Sequence, residues 1–243
     1  MFNLTTAKVE KDVSLSLHGS HRTPYGRMLN TRGPMLRVVC AGETNRAVFP
    51  EQDTYYVHQN LITARSEFFK RATNGQWQES NERTVYLSGD KPSIFELYLN
   101  LVYTGNLATE DYSENNVPVH EYAALAKVYV LAEKLQDTKA KDFVLEAILL
   151  TFRATVYFIL QRPPIEAIRI IYEGTPDTSL ARKLMVDLYT EHGEQDWLEG
   201  ESDIPHEFLY DITMRLFLQR THQTIKSTSV CPLSRYHEVK SEE

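Results

Sequence analysis

Every stretch of this chain that alternates at the strand period lies in its first ninety residues, and everything after them repeats at the helical period. Residues 13–17, 36–41, 54–58 and 84–87 are short and rich in Val, Thr, Tyr or Leu, bounded by Gly, Pro, Asp or Ser, which is how strands read. From Ser93 onward apolar residues recur three and four positions apart. A few strands followed by a run of helices is the order of an α+β fold, with helices gathered against a small sheet. At 243 residues, 42% of them hydrophobic, the chain has material for one large domain, or a standard domain with an extension. No repeat recurs at a fixed period of 20–50 residues, which excludes a solenoid or propeller.

The helical stretch divides at its breakers. Leu61, Ile62, Phe68 and Phe69 predict one or two short helices after the second of the three strands beyond residue 35. Ser93 and Glu96 have the spacing of a capping box, and the helix they open carries Phe95, Tyr98 and Leu101 and stops at Gly105, a residue suited to the left-handed C-terminal position. Tyr122, Leu125, Ala126, Tyr129 and Ala132 form the stripe of the next helix, and Phe143, Val144, Ala147, Ile148 and Thr151 that of another, running toward Leu160 until Pro163-Pro164. Residues 165–172, 180–189 and 208–218 predict three more. Trp197, Phe208 and Phe217 are expected to dock this extension on the preceding domain, with a partner-binding hot spot as the alternative. Residues 1–34 read as a flexible lead-in and 223–243 as a frayed tail.

Charge and motif content exclude several function classes. A net charge of −7 gives no electrostatic footprint for nucleic acid and no polybasic face for a membrane. Two cysteines, Cys40 and Cys231, make no disulfide framework, and with no secretory start a cytoplasmic or nuclear setting is expected. His18 and His21 are a close pair without the second pair that tetrahedral zinc needs. Phosphate-cradling glycine loops and the nucleophile elbow are absent from the sequence. The carboxylates from Glu191 to Asp203 read as a solvated acidic linker. No catalytic residue, cofactor or metal ligand is expected, and other proteins are the expected partners.

The run from Tyr56 to Phe69, YVHQNLITARSEFF, resembles the signature of the BTB/POZ family. Its positions are Val57, His58, Leu61, Arg65, Ser66, Phe68 and Phe69. Trp77 to Ser80, Val85 to Leu87, Val102-Tyr103-Thr104-Gly105 and the stretch from Leu125 to Leu135 continue the family order. The resemblance implies a BTB/POZ fold over residues 35–155, a small three-stranded sheet flanked by a helical cluster, followed by an all-α extension over 156–222 similar to fungal members. The first strand has Leu36-Arg37 where the family usually has Asp-Val. His58 is expected to spend its ring nitrogens on backbone partners, and Ser66 to cap a helix.

The family resemblance also implies function: a non-catalytic protein-interaction module, self-associating or scaffolding other proteins. A homodimer would draw on the strand at Val13, Leu15 and Leu17. An alternative is a substrate adaptor of a cullin-type ubiquitin ligase, with a groove near Phe95, Glu96, Tyr98 and Tyr122; there the family's contact glutamate falls on Leu97, with Glu96 one place earlier. A second alternative is a transcriptional co-regulator without its own DNA-binding segment.

Overall fold

The computed structural model describes residues 28–41, 52–74, 83–109, 119–153, 162–201 and 203–222. Three strands, β1 (Met35–Ala41), β2 (Gln52–His58) and β3 (Thr84–Ser88), form one sheet in the order β2-β1-β3. β1 runs antiparallel to β2, with Leu36 opposite Val57, and parallel to β3, with Val38 opposite Val85. Side chains alternate between the two faces of a strand. One face therefore gathers Leu36, Val38, Cys40, Val57, Val85 and Leu87, none more than 2% exposed. The other presents Arg37, Tyr56 and Tyr86 to solvent.

Two short helices follow β2, α1 (Gln59–Arg65) and α2 (Glu67–Thr73), joined at Ser66. Residues ahead of β1 are tied to the start of α1: the backbone N–H of Gln59 donates to Pro34 O at 3.1 Å, and Asn60 Nδ2 donates to Arg32 O at 2.5 Å. The next helix, α3 (Pro92–Thr104), corrects the capping-box expectation. Lys91 holds the N-cap position and Pro92 the first turn, so Ser93 sits inside the helix. The proline ring already fixes the φ that a first helical residue needs, and it lacks the N–H that would go unpaired there. Gly105 ends α3 at φ +76°, its N–H bonded to Leu101 O, as the sequence predicts.

Helix α4 (Val119–Lys134) is the hub. Leu125, Ala126, Val128 and Ala132 have no exposed surface, and Tyr122, Tyr129 and Leu131 almost none. It packs on α3, on α5 (Thr138–Arg153) and on α6 (Ile165–Gly174). A Cβ at Gly174 would stand 2.5 Å from both methyls of Val130, so only glycine lets α6 approach α4 this closely. Helix α7 (Leu180–His192), a 3-10 turn (Gln195–Trp197) and α8 (His206–His222) complete the chain's described part. One continuous hydrophobic core runs from Leu36 in the sheet to Phe208 in α8. The expected strand at Val13, Leu15 and Leu17, the His18/His21 pair and the tail 223–243 lie outside the described residues.

Candidate protein-interaction surfaces

The signature residues converge on the joint between α1 and α2. Val57, Leu61 and Phe69 are buried in the core, and Phe68 is partly buried against it. Ser66, without exposed surface, is the N-cap of α2 and accepts from the N–H of Phe69 at 3.2 Å. Its hydroxyl donates to Leu135 O at 2.5 Å, fastening the joint to the end of α4. His58 departs from expectation, because its partner is a side chain. Tyr103 Oη accepts from the backbone N–H of His58 at 3.0 Å and lies 2.9 Å from its Nδ1. The strand end and the last turn of α3 are thus pinned together.

A residue that sequence reasoning missed organises the same region. Asp137, with no exposed surface, accepts from Arg65 Nε at 3.1 Å, from Tyr98 Oη at 3.1 Å and from the N–H of Ala140 at 2.9 Å. It therefore caps α5, pairs with α1 and satisfies a phenol buried in α3. Burial, and then the Asp137 carboxylate, hold the Tyr98 phenol well above its ordinary range. The signal was present locally, an Asp immediately before a helical pattern, but its distant partners were not.

The extension is locked by Arg182, 7% exposed. Its Nη2 donates to Tyr172 O at 2.6 Å and to Thr175 O, its Nη1 pairs with Asp177 at 3.0 Å and Glu207 at 3.1 Å, and the guanidinium lies 4.6 Å from the centre of the Tyr172 ring. The acidic stretch is more than a solvated linker. Within it Trp197 is buried, edge-on to Tyr189 at 5.1 Å and to Phe152 of α5 at 6.5 Å, and Arg162 donates to the Trp197 carbonyl. Trp197 and Phe208 dock as predicted; Phe217 is instead 55% exposed.

The groove expected near Phe95, Glu96, Tyr98 and Tyr122 is corrected by burial. Phe95 and Tyr98 have no exposed surface and Tyr122 is 1% exposed, so none of the three can touch a partner. They are core residues because α3 and α4 press these rings against each other and the sheet; Phe95 stacks on Tyr98 at 6.0 Å and meets Tyr55 edge-on at 5.2 Å. Glu96 alone is exposed, and it accepts from Tyr55 Oη at 3.1 Å. Leu97 is buried. Cys40 faces the core, where burial and the nearby Asp90 push its thiol up to about 12, so it carries no nucleophile at neutral pH.

Large apolar side chains reach solvent elsewhere instead, among them Tyr56 and Tyr86 on the outer face of the sheet, Phe143 and Leu150 on α5, and Tyr210, Met214 and Leu218 on α8. Among the described residues no cluster of His, Cys, Asp or Glu could hold a metal ion, and no helix is long and apolar enough to cross a membrane.

Residues 45–146 match the BTB/POZ domain. The fold is α+β, with that domain and a helical C-terminal part. The match begins after β1, although β1 is the sheet's central strand. The chain is also similar to an Arabidopsis thaliana protein, "ARM repeat protein interacting with ABF2", with 28% identity over 99 residues. That stretch is 40% of this chain and 14% of the relative, so the chain spans a small part of the relative's length.

Proposed function

We propose, taking the BTB/POZ domain at residues 45–146 as the premise, that this chain is a non-catalytic module that self-associates and scaffolds partner proteins. The observation that carries the reading is a division among side chains. The signature residues Val57, Ser66 and Phe69 are spent inside the fold, while Tyr56 and Tyr86 on the sheet and several large side chains of α8 are turned to solvent. Exposed apolar surface gathered on one face marks a contact site for protein. The relative's printed name, which describes interaction with another protein, supports the same class of role.

Size-exclusion chromatography with light scattering on the full chain is the test. The expected result is twice the 28.1 kDa chain mass. A single species of chain mass across the micromolar range removes self-association and leaves recognition of other proteins. The ligase-adaptor reading has less support, since Leu97 is buried and Glu96 is bonded to Tyr55. Retention of this chain by a purified cullin N-terminal domain would revive it.

A further inference from the structure

The outer face of the sheet has the composition of a contact surface rather than of a solvated one. A strand face left to water takes polar and charged side chains. Apart from Arg37, no position that the strand register gives to this face holds Lys, Arg, Asp or Glu. Met35 is 41% exposed there, Tyr56 66% and Tyr86 57%, around Val39 at 2% and Thr84 at 5%. Tyr, Met and Arg are the side chains that protein interfaces enrich, while Lys, Glu and Asp are depleted there. Tyr and Arg also lead among the residues that carry binding energy.

Arg37 stands on the middle strand without a counter-charge. The register sets Tyr56 opposite it on β2 and Thr84 opposite it on β3, so no cross-strand carboxylate steadies it. Arg83, whose carbonyl accepts from the Arg37 N–H at 2.9 Å, and Arg32, just ahead of β1, are exposed at the same end of the sheet. Among the described residues none of these three arginines makes an ion pair. In a chain of net charge −7, this end of the sheet is a local positive spot.

We propose, resting on the reading of this chain as a scaffold for other proteins, that the outer sheet face docks a short segment of another protein, one that sets a carboxylate on Arg37 and apolar side chains on Tyr56 and Tyr86. Charge and size select this occupant. Two copies meeting here about a two-fold axis would bring Arg37 and Arg83 against their own kind, the reverse of what an isologous contact requires. With roughly 200 Å² for a fully exposed tyrosine, the two rings offer about 250 Å², against about 800 Å² per partner in a stable complex of folded chains. Three strands spaced about 4.8 Å apart span about 10 Å, the width of one extended segment or one helix. A carboxylate brought to Arg37 gains a charge-assisted, two-pronged hydrogen bond, and the flanking rings keep water from it.

The test pans the full chain against a displayed library of random short peptides. The enriched peptide is then measured by fluorescence polarisation on the full chain, on Arg37→Glu and on Tyr56→Ser/Tyr86→Ser. These substitutions all replace exposed side chains, and an unchanged circular dichroism melt verifies folding; where the tyrosine variant melts lower, Arg37→Glu decides by itself. The expected peptide carries Asp or Glu beside aromatic or aliphatic residues and loses about tenfold or more in affinity on either variant. Panned against Arg37→Glu, the same library is expected to return Lys or Arg at that place. No enriched peptide, or one that binds the Arg37→Glu chain equally well, overturns the sheet-face contact. Light scattering is expected to give the full chain and Arg37→Glu the same mass. A dimer that Arg37→Glu splits assigns the face to a second copy and overturns the proposal, while the self-association reading survives. A monomeric full chain that binds the peptide through Arg37 removes self-association and supports the sheet-face contact.

Discussion

Asp137 shows how much of this fold one buried charge can organise. Its carboxylate serves a helix N-terminus, a guanidinium and a phenol, and Arg65 is 72 positions away in sequence. Replacing it with alanine strands the Arg65 guanidinium, whose Nη2 already lacks a partner, together with the buried Tyr98 hydroxyl. Removing one member of a buried pair typically costs about 3–5 kcal/mol. Asp137→Ala is therefore expected to lower the urea midpoint by a corresponding amount. Asp137→Asn, which still accepts from the Ala140 N–H, should lose distinctly less; equal losses would assign the whole effect to charge and none to capping. His58 is a smaller case of the same kind. Its place at a strand end is legible from Tyr55-Tyr56-Val57-His58, whereas the tyrosine that fixes its ring stands 45 positions on. Side chains are legible at the distance of a turn, and their tertiary partners are not.

Among elements, the contact between α6 and α4 is the most constrained. The two methyls of Val130 occupy the space a Cβ at Gly174 would need. Gly174→Ala must push the helices apart or force Val130 off its rotamer, at about 1–3 kcal/mol. Adding Val130→Ala is expected to recover part of that loss in thermal unfolding; a double variant no more stable than Gly174→Ala alone would mean that the clash is not the cause. This constraint could not be read from the sequence, because Gly174 ends a helical pattern and passes for an ordinary stop signal. The orientation of α8 was hidden for another reason. Its apolar residues, from Phe208, Leu209, Tyr210 and Ile212 to Met214, Leu216, Phe217 and Leu218, lie on nearly all sides, so periodicity predicts a helix without choosing its buried face. Phe217 was expected to dock inward, but packing instead chose Phe208 and Ile212 and turned the later residues out.

For the whole molecule, the succession of short strands and then helices was legible because Gly, Pro and period mark each element locally. The joining of domain and extension was not, since it depends on α4 being covered on several sides at once. Leu125, Val128 and Tyr129 belong to the same core as Ile171, Met185 and Phe208, and Ser179 Oγ lies 3.4 Å from Tyr129 Oη. A core shared in this way is expected to unfold as a unit. Chemical denaturation followed by far-ultraviolet circular dichroism and by tryptophan fluorescence should give coincident transitions. Two separated transitions would instead divide the molecule near Arg153.

The position of α4 also sets a schedule for synthesis. The sheet and α1 to α3 emerge from the ribosome first, yet Ser66 and Phe68 at their centre bond to Leu135, just past the end of α4. Until that residue has left the exit tunnel, the joint at Ser66 lacks the carbonyl it bonds to, and α3 alone covers its phenylalanines. Domains usually complete themselves as they appear; here the first half of the protein waits for its middle, so a pause in translation before α4 prolongs the interval in which a holding chaperone is needed.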